Sequence, residues 1–176
     1  ATVEVITIGK KGGDILTKSL DVKAQHNELL DSSVYKETSV LAQQIMEDFA
    51  DGQYDKVVLL YNQFKNAATQ LVNIENYLPI VYQEIAEAQT GDYIYEPNQQ
   101  EILSELLPKS LKIQLFKAIK DSLAGEHGAR MTAMHKATDN ATELRDQLKL
   151  TYNKARQAAI TNEILEIVGG AEALKS

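Results

Sequence analysis

The C-terminal part of this chain, from Lys109 to Gly169, contains no proline and only two interior glycines, Gly125 and Gly128. A stretch of about 60 residues predicts a helix about 90 Å long, because each residue adds about 1.5 Å. A globular core built from 176 residues cannot enclose a helix of that length. We therefore expect this helix to lie along a partner rather than inside the chain's own core.

Small and apolar residues recur along this helix in steps of three and four. They are Met134, Ala137, Ala141, Leu144, Leu148, Thr151, Ala155 and Ala158. A sustained repeat of about 3.5 residues is typical of a left-handed coiled coil. The alanines bury little area each, so they stabilise only a contact in which a second backbone comes close. Because the chain has no second stretch of comparable length, the partner helix is predicted to be missing from this chain or to be separate.

The first part of the chain alternates strand patterns with helix patterns. Val3–Ile8 and Lys56–Tyr61 are apolar runs that predict strands, the second covered on both faces. Between them, residues 34–51 have an amphipathic helical spacing that ends at Gly52. This order predicts a right-handed crossover in which the two strands are parallel neighbours.

Shorter elements complete this part of the prediction. They are a turn at Gly9–Asp14, a helix from about Asp14 to Ser19, strands at Thr69–Ile74 and Tyr93–Tyr95, an acidic surface connection at Gln83–Asp92, and a helix from the N-cap Asn98 to Leu107. Pro108 then fits the first position of the long helix. The predicted fold class is α/β: a small, partly parallel, Rossmann-like sheet with flanking helices, plus a long C-terminal coiled-coil helix. The predicted domains are residues 1–108, incomplete at the N-terminus, and residues 109–176.

The charge is unevenly divided between these two parts. Residues 1–108 have 7 basic and 17 acidic side chains, and residues 109–176 have 11 basic and 8 acidic side chains. The basic side chains of the long helix are scattered singly among acidic ones, which argues against a polybasic nucleic-acid arm. The two parts therefore differ in sign, −10 and +3, and are expected to bind different partners.

None of the possible catalytic patterns has the spacing that its chemistry needs. The glycine-rich segment Gly9–Asp14 lacks both the P-loop and the dinucleotide spacing, so a turn is predicted there. His127 and His135 lie eight residues apart, which does not suit one metal ion on a helix. Asp139 with Asn140, and Glu163 with Glu166, lack a predicted cleft that would shift the pKa of their carboxyl groups. We expect no catalytic residue, no cofactor and no metal site.

Several short segments resemble the gamma subunits of F-type ATP synthases, the rotating central stalk. The most specific are Gly125–Met131, Ala137–Ala141 and Tyr152–Ala171 on the long helix, and the others are Thr7–Asp14, Tyr61–Lys65, Leu78–Ile80, Tyr93–Pro97 and Leu106–Pro108. Their order along the chain makes the resemblance specific. It covers nearly all of the chain but only about the later two thirds of a typical family member. We therefore expect the family's N-terminal helix, the partner that the apolar repeat requires, and its first strand to have no counterpart here.

The resemblance implies a non-catalytic rotor subunit that couples proton-driven rotation to ATP synthesis. The implied partners are the alpha and beta subunits of the catalytic ring, an epsilon-type subunit, the membrane c-subunit ring and the subunit's own N-terminal helix. It implies polar catch contacts at Arg156, Gln157, Thr161 and Glu163, and an apolar bearing tip in Ile164–Leu174 that includes Ile167 and Val168. The implied location is peripheral, on the cytoplasmic face of the bacterial inner membrane, with the mitochondrial inner membrane as the alternative.

Two further expectations stay open at this point. Gly125 stands where the family usually has serine, and with Gly128 it weakens helix propensity by about 1 kcal/mol per residue, so a weak point or bend is expected there. The alternative function is an α/β signalling or interaction module with a coiled-coil helix. That alternative requires an acidic phosphate pocket at the strand ends, where this chain has Gly9, Lys10 and Lys11.

Overall fold

The computed structural model describes residues 2–32, 35–81, 95–96 and 98–174. In chain order the elements are strand β1 (Glu4–Ile8), helix α1 (Lys10–Leu16), strand β2 (Asp21–His26), helices α2 (Glu28–Ser32) and α3 (Tyr35–Ala50), strands β3 (Val57–Asn66) and β4 (Thr69–Leu78), and helix α4 (Gln99–Ala173). The chain divides into two compact units, Ala1–Ala129 and Arg130–Ser176. The predicted α/β class with flanking helices and a long C-terminal helix is confirmed.

Strands β1 and β2 form a parallel pair joined by the short helix α1. The predicted strand at Val3–Ile8 is confirmed as β1, whereas β2 was not predicted. The prediction of a turn at Gly9–Asp14 followed by a helix at Asp14–Ser19 was wrong, because α1 begins at Lys10 and ends at Leu16. Gly9 makes the turn alone, with a φ of 109° and a Cβ position only 2.6 Å from Leu30 Cδ1. Glycine is required there because a side chain would be strained and would collide with Leu30.

Helix α3 ends as its sequence predicts. Gly52 adopts a φ of 75°, and its N–H donates to the carbonyl oxygen of Phe49 at 3.1 Å. The N–H of Gln53 donates to the carbonyl oxygen of Asp48 at 3.0 Å. This pair of bonds is a Schellman motif, which satisfies two carbonyl groups that the helix end leaves open.

Strands β3 and β4 form an antiparallel hairpin in which Leu60 faces Ile74. Both predicted strands are therefore confirmed in position, but two details were wrong. β3 alternates between half-buried and exposed residues instead of being covered on both faces, and Leu60 is 69% exposed. The predicted parallel pairing of β1 with β3 is also absent among the described residues, where β1 pairs with β2 and β3 with β4. The short α1 connection brings β2 to β1 first.

The apolar core of the first unit lies between α3, the end of β4 and the early part of α4. Its buried residues are Leu29, Leu41, Ala42, Ile45, Tyr77, Leu78, Leu111, Leu115 and Ile119. Half-buried side chains of β1 and β3, including Ile6, Ile8 and Leu59, pack against this core. The early part of α4 thus packs into the same core as the two sheets.

Helix α4 begins at the N-cap predicted for the short helix Asn98–Leu107, and it joins that helix to the long helix that was predicted to begin at Pro108. Asn98 is the N-cap, since its Oδ1 accepts from the N–H of Glu101 at 2.9 Å. Pro108 lies inside α4 rather than at a helix start, although it has no N–H to donate to the helix. Gly125 also lies within continuous helix, so the expected weak point is not a break.

Some predictions concern residues that the structure does not describe, or boundaries that it leaves open. The acidic connection Gln83–Asp92 and most of the strand Tyr93–Tyr95 lie outside the described residues. The predicted domain boundary between Pro108 and Lys109 falls within α4 and stays a prediction. The second compact unit begins at Arg130, and its described residues are helical up to Ala173.

Candidate functional site

The predicted catch and bearing residues lie in the second unit and are exposed, all on α4 except Leu174, which follows the end of the helix. Helical geometry places Arg156, Glu163 and Ile167 on one face. The next face contains the remaining members of the set, which are Gln157, Thr161, Ile164 and Val168. Polar and apolar side chains are therefore brought into two adjacent stripes, as the spacing predicts. Their roles as contacts stay predictions.

The apolar part of this set is unusually exposed for aliphatic side chains. Ile164 is 55% exposed, Ile167 is 71% exposed and Val168 is 53% exposed. Exposed aliphatic residues that are contiguous on a surface are typical of protein or membrane contacts. The end of α4 therefore presents an apolar surface against which a partner can pack.

A second surface of the same unit carries the predicted coiled-coil repeat. Met134 is 63% exposed, Leu144 is 56% exposed and Leu148 is 60% exposed. Around the small side chains of Ala137 and Ala141 the helix surface forms a shallow groove. Met134, Thr138, Thr142 and Arg145 flank this groove. A groove floored by alanine and flanked by larger side chains accepts the side chains of a closely approaching helix.

The first unit contains one exposed polar network that the sequence analysis missed. The Nζ atom of Lys23 lies 3.2 Å from Asp48 Oδ2 and makes a short hydrogen bond to the Tyr54 hydroxyl. The Tyr54 hydroxyl in turn donates to Glu4 Oε2 at 2.9 Å. The bonds from Tyr54 and from Asp48 raise the pKa of the Lys23 amine. This network joins β1, β2 and the end of α3, and the alternation of β2 was the signal that could have located it.

Cavities lie beside both sheets. One of about 440 Å³ lies at the carboxyl end of β2 beside His26 and Asn27, and one of about 430 Å³ lies between the end of β4 and the early part of α4, beside Tyr77 and Leu111. Two smaller ones, about 160 and 170 Å³, lie between β1 and β3 and are lined by Ile6, Ile8 and Leu59. The two smaller cavities are mainly apolar, which favours packing over catalysis.

Titratable groups do not assemble into a reaction centre in the described part of the chain. Asp139, Glu163 and Glu166 are exposed on α4, so no cleft surrounds them. Across residues 2–32, 35–81, 95–96 and 98–174, no three His, Asp or Glu side chains are placed to hold a metal ion. In those same ranges, none of the helices has the combination of length and apolarity that crossing a bilayer requires.

The sequence is similar to a known family over almost its whole length. A family model described as ATP synthase matches residues 1–174. The ATP synthase gamma chain of Christiangramia forsetii is 60% identical over 172 residues, which are 98% of this chain and 60% of that protein. The gamma chain of Flavobacterium johnsoniae is 61% identical over 173 residues, again 98% of this chain and 60% of that protein. This chain thus spans about 60% of the length of these relatives.

Solved structures give the same picture of the fold. A chain of the Euglena gracilis mitochondrial ATP synthase, in a structure of OSCP, F1 and the c-ring, matches with a TM-score of 0.62 and 21% identity. The match covers 97% of this chain and 62% of that one. A chain of the Tetrahymena thermophila mitochondrial ATP synthase, in a structure of the central stalk and c-ring, has a TM-score of 0.57 and 22% identity. That match covers 76% of this chain and 60% of the other.

Proposed function

The chain belongs to the ATP synthase gamma-chain family, and from that premise we propose that it is the central-stalk rotor subunit of an F-type ATP synthase. Proton-driven rotation of the membrane ring turns the sheet-containing unit, and α4 carries the rotation to the catalytic subunits. The observation that supports this proposal is the exposure of α4 from Arg130 onwards, where apolar and polar stripes face outward on one helix. A helix with such a surface packs against partner subunits rather than against the core of its own chain.

The first partner is a second helix, contributed by the N-terminal part of the subunit. Met134, Leu144 and Leu148 present the apolar side chains of the repeat, and the alanines between them allow the two backbones to approach closely. Knobs-into-holes packing of this kind stabilises a long helix that would otherwise be marginal in water. The pair of helices then forms a shaft that can transmit a twist.

The second group of partners is the ring of alpha and beta subunits. Arg156, Gln157, Thr161 and Glu163 provide charged and hydrogen-bonding groups on an exposed helix face. These side chains make the catch contacts, whereas Ile164, Ile167 and Val168 form an apolar bearing that contacts its surroundings without directional bonds. Apolar contacts suit rotation because they are non-directional.

The subunit contributes mechanical coupling rather than catalysis. An asymmetric shaft makes different contacts with each catalytic subunit, so its angle favours a different conformation in each one. Differential contact is the only way in which a partner can shift such an equilibrium. The bond-forming chemistry of ATP synthesis belongs to the catalytic ring, and this subunit needs no cofactor.

The sheet-containing unit binds partners at the membrane end of the complex. The Euglena structure contains F1 with a c-ring, and the Tetrahymena structure contains the central stalk with a c-ring. The partners proposed for this unit are therefore the membrane c-ring and, from the family resemblance, an epsilon-type subunit. The opposite net charges of residues 1–108 and 109–176 favour different partners at the two ends. The subunit is then peripheral, on the cytoplasmic face of a bacterial inner membrane.

Reconstitution tests this proposal directly. The full-length subunit is assembled with the alpha, beta and epsilon subunits and the membrane sector in vesicles, and ATP synthesis is measured under a proton gradient. We expect synthesis that stops when the subunit is omitted, while the alpha and beta ring alone still binds nucleotide. Equal gradient-driven synthesis with and without the subunit would refute the rotor role. Specific binding of the sheet-containing unit to a soluble signalling partner, with no effect on synthesis, would favour the alternative interaction module.

A further inference from the structure

The β3–β4 hairpin contacts α4 over a long distance, always through one side of the helix. The polar contacts are Tyr77 with Leu111, Gln114 with Glu75, Asn62 with Ser122, and Gln70 with Gly125. From Leu111 to Gly128 the helix advances about 25 Å, and the contacted positions fall within about a third of its circumference. The hairpin is therefore hydrogen-bonded to one side of α4 along this length.

The tip of the hairpin approaches the helix backbone closely. A Cβ atom on Gly128 would lie 3.0 Å from the Cα atom of Ala67 and 3.1 Å from its carbonyl oxygen. A Cβ atom on Gly125 would lie 3.0 Å from Cγ of Gln70. Both glycines are buried in α4. Their missing side chains thus allow the turn between the strands to rest on the helix.

A directional bond fixes this approach. The Nε2 atom of Gln70 donates to the carbonyl oxygen of Gly125 at 2.9 Å. Phe64, from the other strand, lies 3.4 Å from the Cβ position of Gly128. The contact therefore combines close packing with a hydrogen bond, and it lies within the last turn and a half of helix before the first unit ends at Ala129.

We infer that these five residues, Phe64, Ala67 and Gln70 of the hairpin with Gly125 and Gly128 of α4, form a clamp that fixes the helix against twisting relative to the two sheets. This tip clamp rests on the proposed rotor function, because only a shaft experiences a torque about its own axis. A torque on the helix is resisted best by contacts on its surface that cannot slide. The tip clamp stays closed during rotation, and Gln70, Gly125 and Gly128 are positioning residues for coupling.

An engineered disulfide tests whether the clamp stays closed. The Cβ position of Gly125 lies 3.9 Å from the Cβ atom of Gln70, which is close to the mean separation in disulfides. Residues 1–176 contain no native cysteine, so within this part of the subunit the double variant Gln70→Cys with Gly125→Cys can form only the intended intramolecular disulfide. The variant is introduced into the full-length subunit in the assembled complex, and ATP-driven proton pumping is measured before and after reduction with dithiothreitol.

We expect the oxidised and reduced forms of this variant to pump within twofold of each other. The single variants Gln70→Cys and Gly125→Cys control for oxidation elsewhere. A tenfold or greater loss of pumping on oxidation, reversed by reduction, would overturn the inference, because the tip would then have to open during the cycle. Failure of the disulfide to form in the purified subunit would also overturn it.

Opening the clamp provides the complementary test. Gly128→Ala introduces a Cβ atom against the backbone of Ala67, and we expect the ratio of protons pumped to ATP hydrolysed to fall at least threefold. Gly12→Ala is the matched control, since nothing lies within 4 Å of its Cβ position on α1. When Gln70→Cys and Gly125→Cys are combined with Gly128→Ala, oxidation of the two thiols to the disulfide should restore the ratio to within twofold of the parent. An unchanged ratio in Gly128→Ala would count against the clamp.

The two proposals fail in different ways. If the unmodified full-length subunit supports no pumping, the rotor function fails, whereas efficient formation of the disulfide in the purified subunit still shows a closed tip. If the unmodified subunit pumps normally and the oxidised variant does not, the rotor function stands and the clamp fails. Unfolding curves for each variant separate loss of coupling from loss of folded protein.

Discussion

The hydroxyl group of Tyr77 donates a hydrogen bond to the carbonyl oxygen of Leu111 at 3.1 Å, with the tyrosine side chain 1% exposed. This bond joins the end of strand β4 to helix α4, which completes the core. Burial raises the pKa of the Tyr77 hydroxyl to about 12. The contact is therefore both a structural anchor and a source of pH dependence.

Removing this hydroxyl group should destabilise the first unit. We expect Tyr77→Phe to lower the free energy of unfolding by about 1 kcal/mol, the usual net value of one buried hydrogen bond. Urea unfolding followed by circular dichroism measures the change. Tyr152→Phe is the matched control, because Tyr152 is 66% exposed on α4 and its hydroxyl contributes nothing to a core. Equal stability of the two variants would contradict the anchoring role of Tyr77.

The raised pKa of Tyr77 predicts a loss of stability in alkali. The folded state holds this proton up to about pH 12, whereas an unfolded tyrosine loses it near pH 10. The stabilisation is therefore complete below pH 10 and declines as the pH rises towards 12, by at most about 1.4 kcal/mol per pH unit. Unfolding of the wild type and of Tyr77→Phe at pH 8 to 11.5 measures it. A difference between the two proteins that stays constant with pH would refute the prediction.

The two glycines of the tip clamp should respond differently to alanine. Alanine adds about 1 kcal/mol of helix propensity at each position. At Gly125 the added methyl meets the flexible side chain of Gln70, so we expect a net change near zero. At Gly128 it meets the backbone of Ala67, and overpacking of about 1–3 kcal/mol makes the net change destabilising. Urea unfolding of the two variants measures the difference. If Gly128→Ala were more stable than Gly125→Ala, the backbone of the hairpin turn would be able to move away from the added methyl group at little cost.

The exposed apolar repeat predicts uneven protection of α4 from hydrogen exchange. We expect fast exchange across residues 130–165 in a verified monomer of this chain, because isolated helical segments are marginal in water. Leu111, Leu115 and Ile119, which are buried in the core, should be strongly protected and provide the internal reference. Equally strong protection of both stretches, without any partner helix, would count against the coiled-coil proposal.

The predicted catch residues can be separated from the stability of the fold. Replacing Arg156 and Gln157 together with alanine should lower ATP synthesis and torque in the reconstituted complex and leave the unfolding midpoint unchanged, since both side chains are exposed. Replacing Gln147 and Lys149 with alanine is the matched control on the same helix. Normal torque in the Arg156 and Gln157 variant would remove both residues from the proposed contact set.

Local signals in the sequence predicted two helix ends correctly. Gly52 ends α3, and Asn98 is the N-cap that was predicted for a short helix and that begins α4. Pro108 misled the prediction because its missing N–H also fits a helix start, and only the surrounding contacts distinguish the two positions. Strand β2 was missed because polar residues alternate with the small or modest apolar side chains of Val22 and Ala24.

Sequence patterns did not predict which strands pair or that the hairpin contacts α4 closely. Apolar residues on both faces of β3 favoured a buried parallel strand, yet Leu60 is largely exposed and β3 pairs with β4. The sequence could predict where apolar and polar side chains lie on α4, because helical geometry fixes it. It could not assign Gly125 and Gly128 to a contact with the hairpin, since a glycine pattern alone also predicts weakness.

The strand pairing described above sets an order for biosynthesis. β1 pairs with β2, and β3 with β4, so each pair joins neighbours in the chain and can form soon after both of its strands have left the ribosome. Leu111, Leu115 and Ile119 come later, and until they emerge the apolar sides of α3 and β4 lack their covering helix. A nascent chain halted before Leu111 therefore has its strands but still exposes the apolar sides of α3 and β4. At this stage the chain is most prone to aggregate and most in need of a chaperone.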